Sequence, residues 1–264
     1  MSTPKPAHLG SRYAAQFQDA AVVAAYPARP PYPTEVFDRL ASLVVAPGVA
    51  LDIGCGTGDI ARPLARRVAQ VDAADISERM IAAGRSLPNG DATNLRWQVS
   101  PIESAALAKT YGLIVAGESL HWMDWEVTLP RLSTVLAPGA SLVIVERDEQ
   151  PLPWSEHLLT LITRYSTNTE FRPYDIVEEL RQRGLFSERG QARTATVPFR
   201  QTIGAYVESI HSRNGFSRDR MRPDDAAAFD VAVVDLLAPY AQNGHVTLHI
   251  SATLRWGAPL APHR

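Results

Sequence analysis

The segment LDIGCGTGDI, residues 51–60, places three glycines within five positions, behind a short apolar run and ahead of a predicted helix. Glycine permits positive φ and carries no side chain that would hold a ligand away from the main chain. The free amides at the start of the following helix face the same point. The pattern indicates a ligand-binding turn, although a tight turn without a ligand would use the same residues.

An acidic residue further along the chain favours the ligand-binding interpretation. The predicted second strand ends at Asp75, 23 residues beyond Asp52, and an offset of roughly 20 residues is typical of a carboxylate that binds ribose hydroxyls. The alternative is that Asp75 only begins the next helix beside Ser77. Strand, turn, helix and acidic strand end together favour nucleoside binding.

The glycine spacing separates two classes of nucleoside ligand. Dinucleotide-binding turns have the pattern G-x-G-x-x-G, whereas this turn has G-x-G-x-G with Asp52 two positions before Gly54. A carboxylate at that position would repel a pyrophosphate and would suit a cofactor with a cationic amino group. An NAD-type oxidoreductase and a non-catalytic cofactor-binding module remain the alternatives from other classes.

The elements that position this turn follow from short apolar runs that alternate with amphipathic stretches between residues 49 and 150. Strand and helix repeated in this way predict a parallel sheet covered on both faces. We predict a doubly wound, Rossmann-like α/β fold with a mostly parallel seven-stranded sheet whose last strand is antiparallel. In such sheets, ligands bind beyond the carboxyl ends of the strands.

The chain divides into four predicted parts. Residues 1–12 are polar, small and rich in proline, and we expect them to be disordered. Residues 13–33 form an N-terminal helical lid, and residues 34–150 form the cofactor-binding core. Residues 151–264 complete the sheet and include a helical, substrate-binding insertion at about 204–240, between the last two strands.

Composition limits the classes of partner. The 264 residues carry a formal net charge of −2 at pH 7, which gives no field that would attract nucleic acid. No apolar run approaches the roughly 20 residues of a membrane helix. The single cysteine, Cys55, excludes an internal disulfide, and the N-terminus lacks the pattern of a signal peptide. We expect a cytoplasmic monomer or homodimer with a small-molecule substrate and neither nucleic-acid nor membrane partners.

Several segments resemble one enzyme family. VALDIGCGTGDIARPLA resembles motif I of class I S-adenosylmethionine-dependent methyltransferases, and DISERMIAAGR resembles their acidic second motif. LPRLSTVLAPGASLVI is similar to the helix, Pro-Gly turn and fifth strand that follow, so the match covers about residues 45–146. YPARPPYP and ESLHWMDW further resemble the small-molecule group that contains trans-aconitate methyltransferase.

The resemblance implies S-adenosylmethionine as cofactor and S-adenosylhomocysteine as by-product. The glycine turn would lie against the methionine part of the cofactor, and Asp75 would hold the ribose. Pro101 and Gly112 depart from the family pattern, which usually has aspartate at these two positions. The implied cofactor-binding residues are Asp52, Gly54, Cys55, Gly56, Thr57, Gly58, Asp75, Ile76, Met80, Ile102, Glu103 and Glu118.

The expected chemistry needs few catalytic groups. Methyl transfer from a sulfonium is an in-line displacement, so the protein mainly aligns the nucleophile and excludes water. A hydroxyl or ammonium acceptor must also lose a proton, whereas a carboxylate need not. His121 is the candidate base, and a structural histidine packed under Trp122 and Trp125 is the alternative. O-methylation of a carboxylate or hydroxyl is favoured over N- or C-methylation, and no metal is expected because the nearby carboxylates match no ligand spacing.

Substrate selection is assigned to the segments outside the sheet. The lid would close over the cofactor, and Arg29 would pair with a carboxylate. The alternatives are an ordinary packing helix with a solvated arginine and, in the insertion, a solvated run of charges. The predicted substrate-binding residues are Tyr13, Phe17, Tyr26, Arg29, Trp122, Trp154, His211 and Arg213.

Overall fold

The computed structural model describes residues 5–107 and 110–261. In this part of the chain, eight strands form one sheet. The strands are β1 Val49–Ile53, β2 Gln70–Asp75, β3 Leu95–Val99, β4 Leu113–Gly117, β5 Leu142–Glu149, β6 Phe186–Arg193, β7 Val197–Thr202 and β8 His245–Pro259. Their spatial order is β3-β2-β1-β4-β5-β8-β6, and β7 also pairs with β8.

The same residues form ten α-helices. They are α1 Ser11–Ala14, α2 Ala20–Ala25, α3 Thr34–Leu43, α4 Ala61–Leu64, α5 Glu78–Ser86, α6 Trp125–Val135, α7 Ser155–Tyr165, α8 Ile176–Gln182, α9 Ile203–His211 and α10 Pro223–Leu237. Short 3-10 helices cover Ala7–Leu9, Ala15–Gln18, Tyr26–Ala28, Leu120–Trp122 and Ala238–Tyr240. None of these described helices is both long and apolar enough to cross a bilayer.

The pairing of the strands confirms the predicted mostly parallel α/β fold. Strands β1 to β5 are joined by parallel pairs, and β8 runs antiparallel to β5, β6 and β7. The predicted number of seven strands is wrong by one. The 15-residue β8 is long enough to pair with two strands in succession, β6 along its C-terminal half and β7 along its N-terminal half.

Alternation along the strands buries both faces of the sheet. Leu51 and Ile53 of β1 pack on the face that α6 and α8 cover, whereas Ala50 packs on the face that α3 and α4 cover. A parallel sheet covered in this way gives nearly continuous apolar strands. Helices α9 and α10, which correspond to the predicted insertion, lie between β7 and β8 and pack with α7 in a third cluster.

The N-terminal segment is ordered where disorder was predicted. Residues 1–4 lie outside the described part of the chain, but within residues 5–12 the side chains of His8 and Leu9 are buried, with Leu9 only 2% exposed. Lys5 Nζ donates a hydrogen bond to the Met123 carbonyl over 2.9 Å. The prediction of disorder used only the polar, proline-rich composition of this segment. Composition carries no information about these long-range contacts.

The predicted helical lid consists of several short helices. The chain leaves helical geometry at Asp19, where φ is −67° and ψ is 139°. The Asp19 carboxylate accepts hydrogen bonds from Ser217 and Arg220. These contacts tie the break between α1 and α2 to the loop between α9 and α10.

Gly112, one of the two departures from the family pattern, has a packing explanation. Its carbonyl accepts from the Val45 amide at 3.1 Å, and its own amide donates to the Val49 carbonyl at 2.8 Å. A Cβ built on Gly112 would lie 1.9 Å from the Val45 oxygen. The chain before β1 therefore passes too close to this residue for any side chain.

Gly112→Ala is expected to lower the free energy of unfolding by about 1–3 kcal/mol, because the backbone at Val45 would have to move. Urea denaturation followed by circular dichroism measures the change. Gly204→Ala is the matched control, since a Cβ on Gly204 in α9 meets nothing within 4 Å and alanine favours helix. Equal midpoints for Gly112→Ala and the parent protein would contradict the packing argument.

Candidate active site

Two adjoining cavities lie at the carboxyl edge of the sheet. The glycine-loop cavity has a volume of about 370 Å³ and is bordered by Gly54, Gly56 and Asp75. The β5 cavity has a volume of about 620 Å³ and is bordered by residues 144 and 146–149 of β5. The side chains that line both cavities are Phe17, Arg29, Glu118, Ser119 and Trp122.

The turn after β1 has the predicted left-handed backbone. Gly54, Gly56 and Gly58 have φ values of 62°, 54° and 80°. Gly54 and Gly56 line the glycine-loop cavity, but Gly58 does not. A Cβ on Gly58 would lie 2.4 Å from the Trp97 ring, so the close packing of Trp97 also requires a glycine at this position.

Asp75 connects the end of β2 to the glycine turn. One carboxylate oxygen accepts from the Gly56 amide at 2.8 Å, and the other accepts from the Ser77 amide at 2.7 Å. Burial raises the pKa of this carboxyl, and the two amides offset part of the rise. Each carboxylate oxygen keeps a further lone pair that can accept a hydroxyl from the cavity.

The predicted apolar and acidic residues beyond β2 and β3 also line the glycine-loop cavity. They are Ile76, Met80, Ile102 and Glu103. Glu103 Oε1 already accepts from the Asp124 amide at 2.8 Å. Pro101, which replaces the expected aspartate, contributes to the same wall.

Asp52, Cys55 and Thr57 were predicted to bind cofactor but do not line the glycine-loop cavity. Asp52 is 1% exposed and accepts the Ala61 amide at the start of α4. Burial raises the pKa of its carboxyl well above the usual range, and no described residue hydrogen-bonds to its Oδ2. Thr57 is buried and donates to Asp59. The alternation of β1 and the sharp turn aim these side chains beneath the loop.

Glu118 lies at the junction of the two cavities with a φ of 51°. Its carboxylate accepts from Arg147 Nη2 at 2.6 Å, and the Arg147 guanidinium lies 4.6 Å from the centre of the Tyr32 ring. Burial alone would raise the pKa of Glu118, but Arg147 and Arg29 outweigh it and lower the pKa to about 2. Glu118 is therefore an anion, and its partner Arg147 was missed from the sequence.

His121 lines the β5 cavity within the 3-10 helix after β4. Its ring centre is 4.6 Å from that of Trp122 and 6.3 Å from that of Tyr174. Burial lowers its pKa to about 4, so the imidazole is neutral near pH 7. Within the described chain it makes no hydrogen bond, which leaves both ring nitrogens available to a ligand.

Five of the eight predicted substrate-binding residues line one or both cavities. Phe17, Arg29 and Trp122 line both cavities, Tyr26 lines the glycine-loop cavity, and Arg213 lines the β5 cavity. Arg29 donates to the hydroxyl and carbonyl oxygens of Ser212 at 2.9 and 2.6 Å. The lid and the insertion therefore meet over the junction of the cavities.

Trp154, His211 and Tyr13 lie elsewhere, contrary to prediction. Trp154 is 4% exposed and packs among α7, α9 and α10. His211 is 1% exposed, and its two nitrogens contact the Phe216 carbonyl at 2.7 Å and Asp230 at 2.6 Å. The Tyr13 hydroxyl donates to Glu170 at 2.7 Å and so connects the N-terminal segment to the loop after α7. Each is a polar aromatic residue that is satisfied inside the packing.

The sequence interpretation missed several residues of the β5 cavity. They are His8, Arg147, Asn168, Phe171, Tyr174, Ile176 and Asn214. Most come from segments outside the core motifs, and the charged end of β5, ERDE, was the one local signal. No group of three or more His, Cys, Asp or Glu side chains in the described residues is arranged to hold a metal ion.

Comparison with known proteins places the same region in one family. Residues 50–139 match the family model of the methyltransferase domain. An uncharacterized methyltransferase of Mycobacterium tuberculosis is 32% identical over 139 residues, which cover 52% of this chain and 54% of that protein. Trans-aconitate 2-methyltransferase of Variovorax paradoxus is 37% identical over 108 residues, 39% of this chain and 40% of that protein. The chain thus spans about half the length, or less, of these curated relatives.

A solved structure from Anaeromyxobacter dehalogenans, assigned to the methyltransferases, superposes with a TM-score of 0.63 at 23% identity and covers 89% of this chain and 99% of that chain. This likeness concerns the fold. The glycine turn, Asp75 and the end of β4 all lie inside the matched residues 50–139. The resemblance predicted from the sequence is therefore confirmed: residues 50–139 match the methyltransferase domain, and the chain shares its fold with a solved structure of that kind.

Proposed function

We propose that this protein transfers the methyl group of S-adenosylmethionine to a small-molecule acceptor, with O-methylation of a carboxylate or hydroxyl favoured over N- or C-methylation. The observation that carries the proposal is the junction of the two cavities at Glu118, Ser119 and Trp122. A group bound in one cavity would meet a group bound in the other at this junction. The volumes of about 370 and 620 Å³ suit two small molecules.

The residues of the glycine-loop cavity fit the cofactor. Gly54 and Gly56 offer bare main chain, and Asp75 offers lone pairs to ribose hydroxyls. Ile76, Met80 and Ile102 form apolar walls of the kind that an adenine ring needs. When bound, the cofactor supplies an electrophilic methyl group on a sulfonium.

The remaining catalytic work falls to positioning and proton removal. The lid covers the junction through Phe17 and Arg29, which would exclude water from the displacement. The neutral His121 imidazole, with a pKa of about 4, can take the proton of a hydroxyl acceptor at Nδ1 or Nε2. The Glu118 anion, held by Arg147, would place negative charge beside a cationic cofactor.

Release of S-adenosylhomocysteine from S-adenosylmethionine, measured across a broad panel of small acceptors, tests the proposal directly. We expect turnover with at least one acceptor class. Calorimetry with S-adenosylhomocysteine and with NAD separates the alternatives. Binding of NAD alone would support an oxidoreductase, and tight binding of S-adenosylhomocysteine with no product from any acceptor would support a non-catalytic module.

Asp75→Asn is expected to weaken binding of S-adenosylhomocysteine by about 1–3 kcal/mol, because charge-assisted hydrogen bonds to the ribose are lost. Titration calorimetry measures the dissociation constant. Asp91→Asn is the matched control, since Asp91 is exposed and does not line the glycine-loop cavity. An unchanged dissociation constant for Asp75→Asn, with an unchanged melting temperature, would refute the ribose role.

His121→Ala is expected to reduce kcat by about 10²- to 10⁴-fold with a hydroxyl acceptor, while affinity for S-adenosylhomocysteine stays the same. The base must be neutral to accept a proton. Because burial lowers the pKa of His121 to about 4, the rate should be level between about pH 6 and 8 and should fall towards the pKa.

His249→Ala is the control for this variant, because His249 is exposed on β8. Full activity of His121→Ala with a hydroxyl acceptor would contradict the role as a base. Full activity together with an ester product would instead identify a carboxylate acceptor and leave His121 a structural role.

A further inference from the structure

The β5 cavity has two chemically different sides. Strand β5 forms part of its wall, and successive side chains of the strand point to opposite sides. Side chains alternate between the faces of a strand. Ile144 packs on the face covered by α6 and α8, and Val145 packs on the opposite face. Glu146 and Asp148 therefore lie on the first side of the cavity, and Arg147 and Glu149 lie on the second.

The second side of the cavity carries a surplus of positive charge. Arg147 pairs with Glu118 at 2.6 Å, and Arg213 pairs with Glu149 at 2.5 Å. Arg29 has no carboxylate within 4.0 Å among the described residues. The Arg147 side chain is only 6% exposed, and its Nη1 has no hydrogen-bond partner in the described part of the chain. A buried donor of this kind is costly unless a ligand accepts from it.

The first side of the cavity carries a surplus of negative charge. Asp148 accepts from Thr253 at 2.8 Å and lies 3.5 Å from Arg193. Glu146, by contrast, has neither a hydrogen bond nor an ion pair within residues 5–107 and 110–261. Burial and the nearby carboxylates of Asp175, Asp148 and Glu118 raise the pKa of Glu146, while Arg255 opposes them. A cation from outside the chain would relieve this repulsion.

Aromatic rings complete the first side of the β5 cavity, which is the side that carries Glu146. Tyr174 lines the cavity, and its ring centre lies 5.2 Å from that of His8 and 6.3 Å from that of His121. His8 is 4% exposed, and its Nε2 has no hydrogen-bond partner in the described chain. Phe171 borders the same cavity. Aromatic faces beside a carboxylate are the surroundings that favour an ammonium group.

We infer that the methyl acceptor is a zwitterion, whose ammonium group binds on the Glu146 and Tyr174 side and whose carboxylate binds on the Arg29 and Arg147 side. The inference rests on the proposed function and names the substrate class of the same site. An acceptor with only one charge would leave either the surplus carboxylate or the surplus guanidinium without a partner. An uncompensated charge in a half-buried cavity of this kind is unfavourable.

Three probes that share one apolar body test the inference. They are L-phenylalanine, 2-phenylethylamine and 3-phenylpropionate, which differ only in their charged groups. Calorimetry is performed on the full chain saturated with S-adenosylhomocysteine. We expect L-phenylalanine to bind at least about tenfold more tightly than either singly charged probe, as loss of a charged hydrogen bond predicts.

Variants assign the two charges to the two sides. Glu146→Gln should remove the advantage of L-phenylalanine over 3-phenylpropionate and should not weaken binding of 3-phenylpropionate, because the variant removes a negative charge that repels this anion. Arg213→Gln should reduce the advantage over 2-phenylethylamine, because it makes the second side less positive. Glu156→Gln on α7, exposed and remote from the cavity, should change neither ratio. Melting temperatures of the loaded variants establish that each is folded.

The outcomes distinguish this inference from the proposed function. Failure of S-adenosylhomocysteine to bind counts against the proposed function. Where S-adenosylhomocysteine binds, three results overturn the inference of a zwitterionic acceptor. They are equal or tighter binding of a singly charged probe, no binding of any probe, and an unchanged preference of Glu146→Gln for L-phenylalanine over 3-phenylpropionate.

Discussion

The hydrogen bond from the Gly56 amide to the Asp75 carboxylate, 2.8 Å long, is the contact on which the site depends. It joins the turn after β1 to the end of β2, and it requires the left-handed backbone that Gly56 adopts at φ 54°. Because parallel strands end at a common edge, this one contact brings a bare main chain and a carboxylate to the same cavity wall. The core of the fold therefore forms the wall of the proposed cofactor site that contains the glycine turn and Asp75.

The segments that cover the carboxyl edge of the sheet are held by contacts between distant parts of the chain. Gly215 donates its amide to Gln16 at 2.9 Å, and Asn214 donates to the Tyr13 carbonyl at 3.2 Å. With the contacts of Asp19, they attach the lid to the loop between α9 and α10. That loop is held in turn by α9 and α10, which pack against β8. The two cavities are thus enclosed only when the last strand of the sheet is in place.

The core of the fold was predictable because both faces of a parallel sheet must be apolar, and the runs of β1, β4 and β5 are nearly continuous. Strand β6, Phe186–Arg193, was missed for the opposite reason. It lies at the edge of the sheet, and of its eight residues only Phe186 is buried. A polar edge strand is defined by its hydrogen bonds to a neighbour, and these leave no pattern in the side chains.

By itself, the sequence determined the α/β class, the glycine turn, Asp75 and the position of His121 after β4, because each depends on residues close together in the chain. The tertiary structure decided which side chains face a cavity. Asp52 and His211, which looked chemically suited to ligands, are both buried away from the two cavities, and His211 contacts Asp230. Tyr174, which no local motif marks, lines the same cavity as His121 and Glu146, because side-chain direction follows strand alternation and long-range packing.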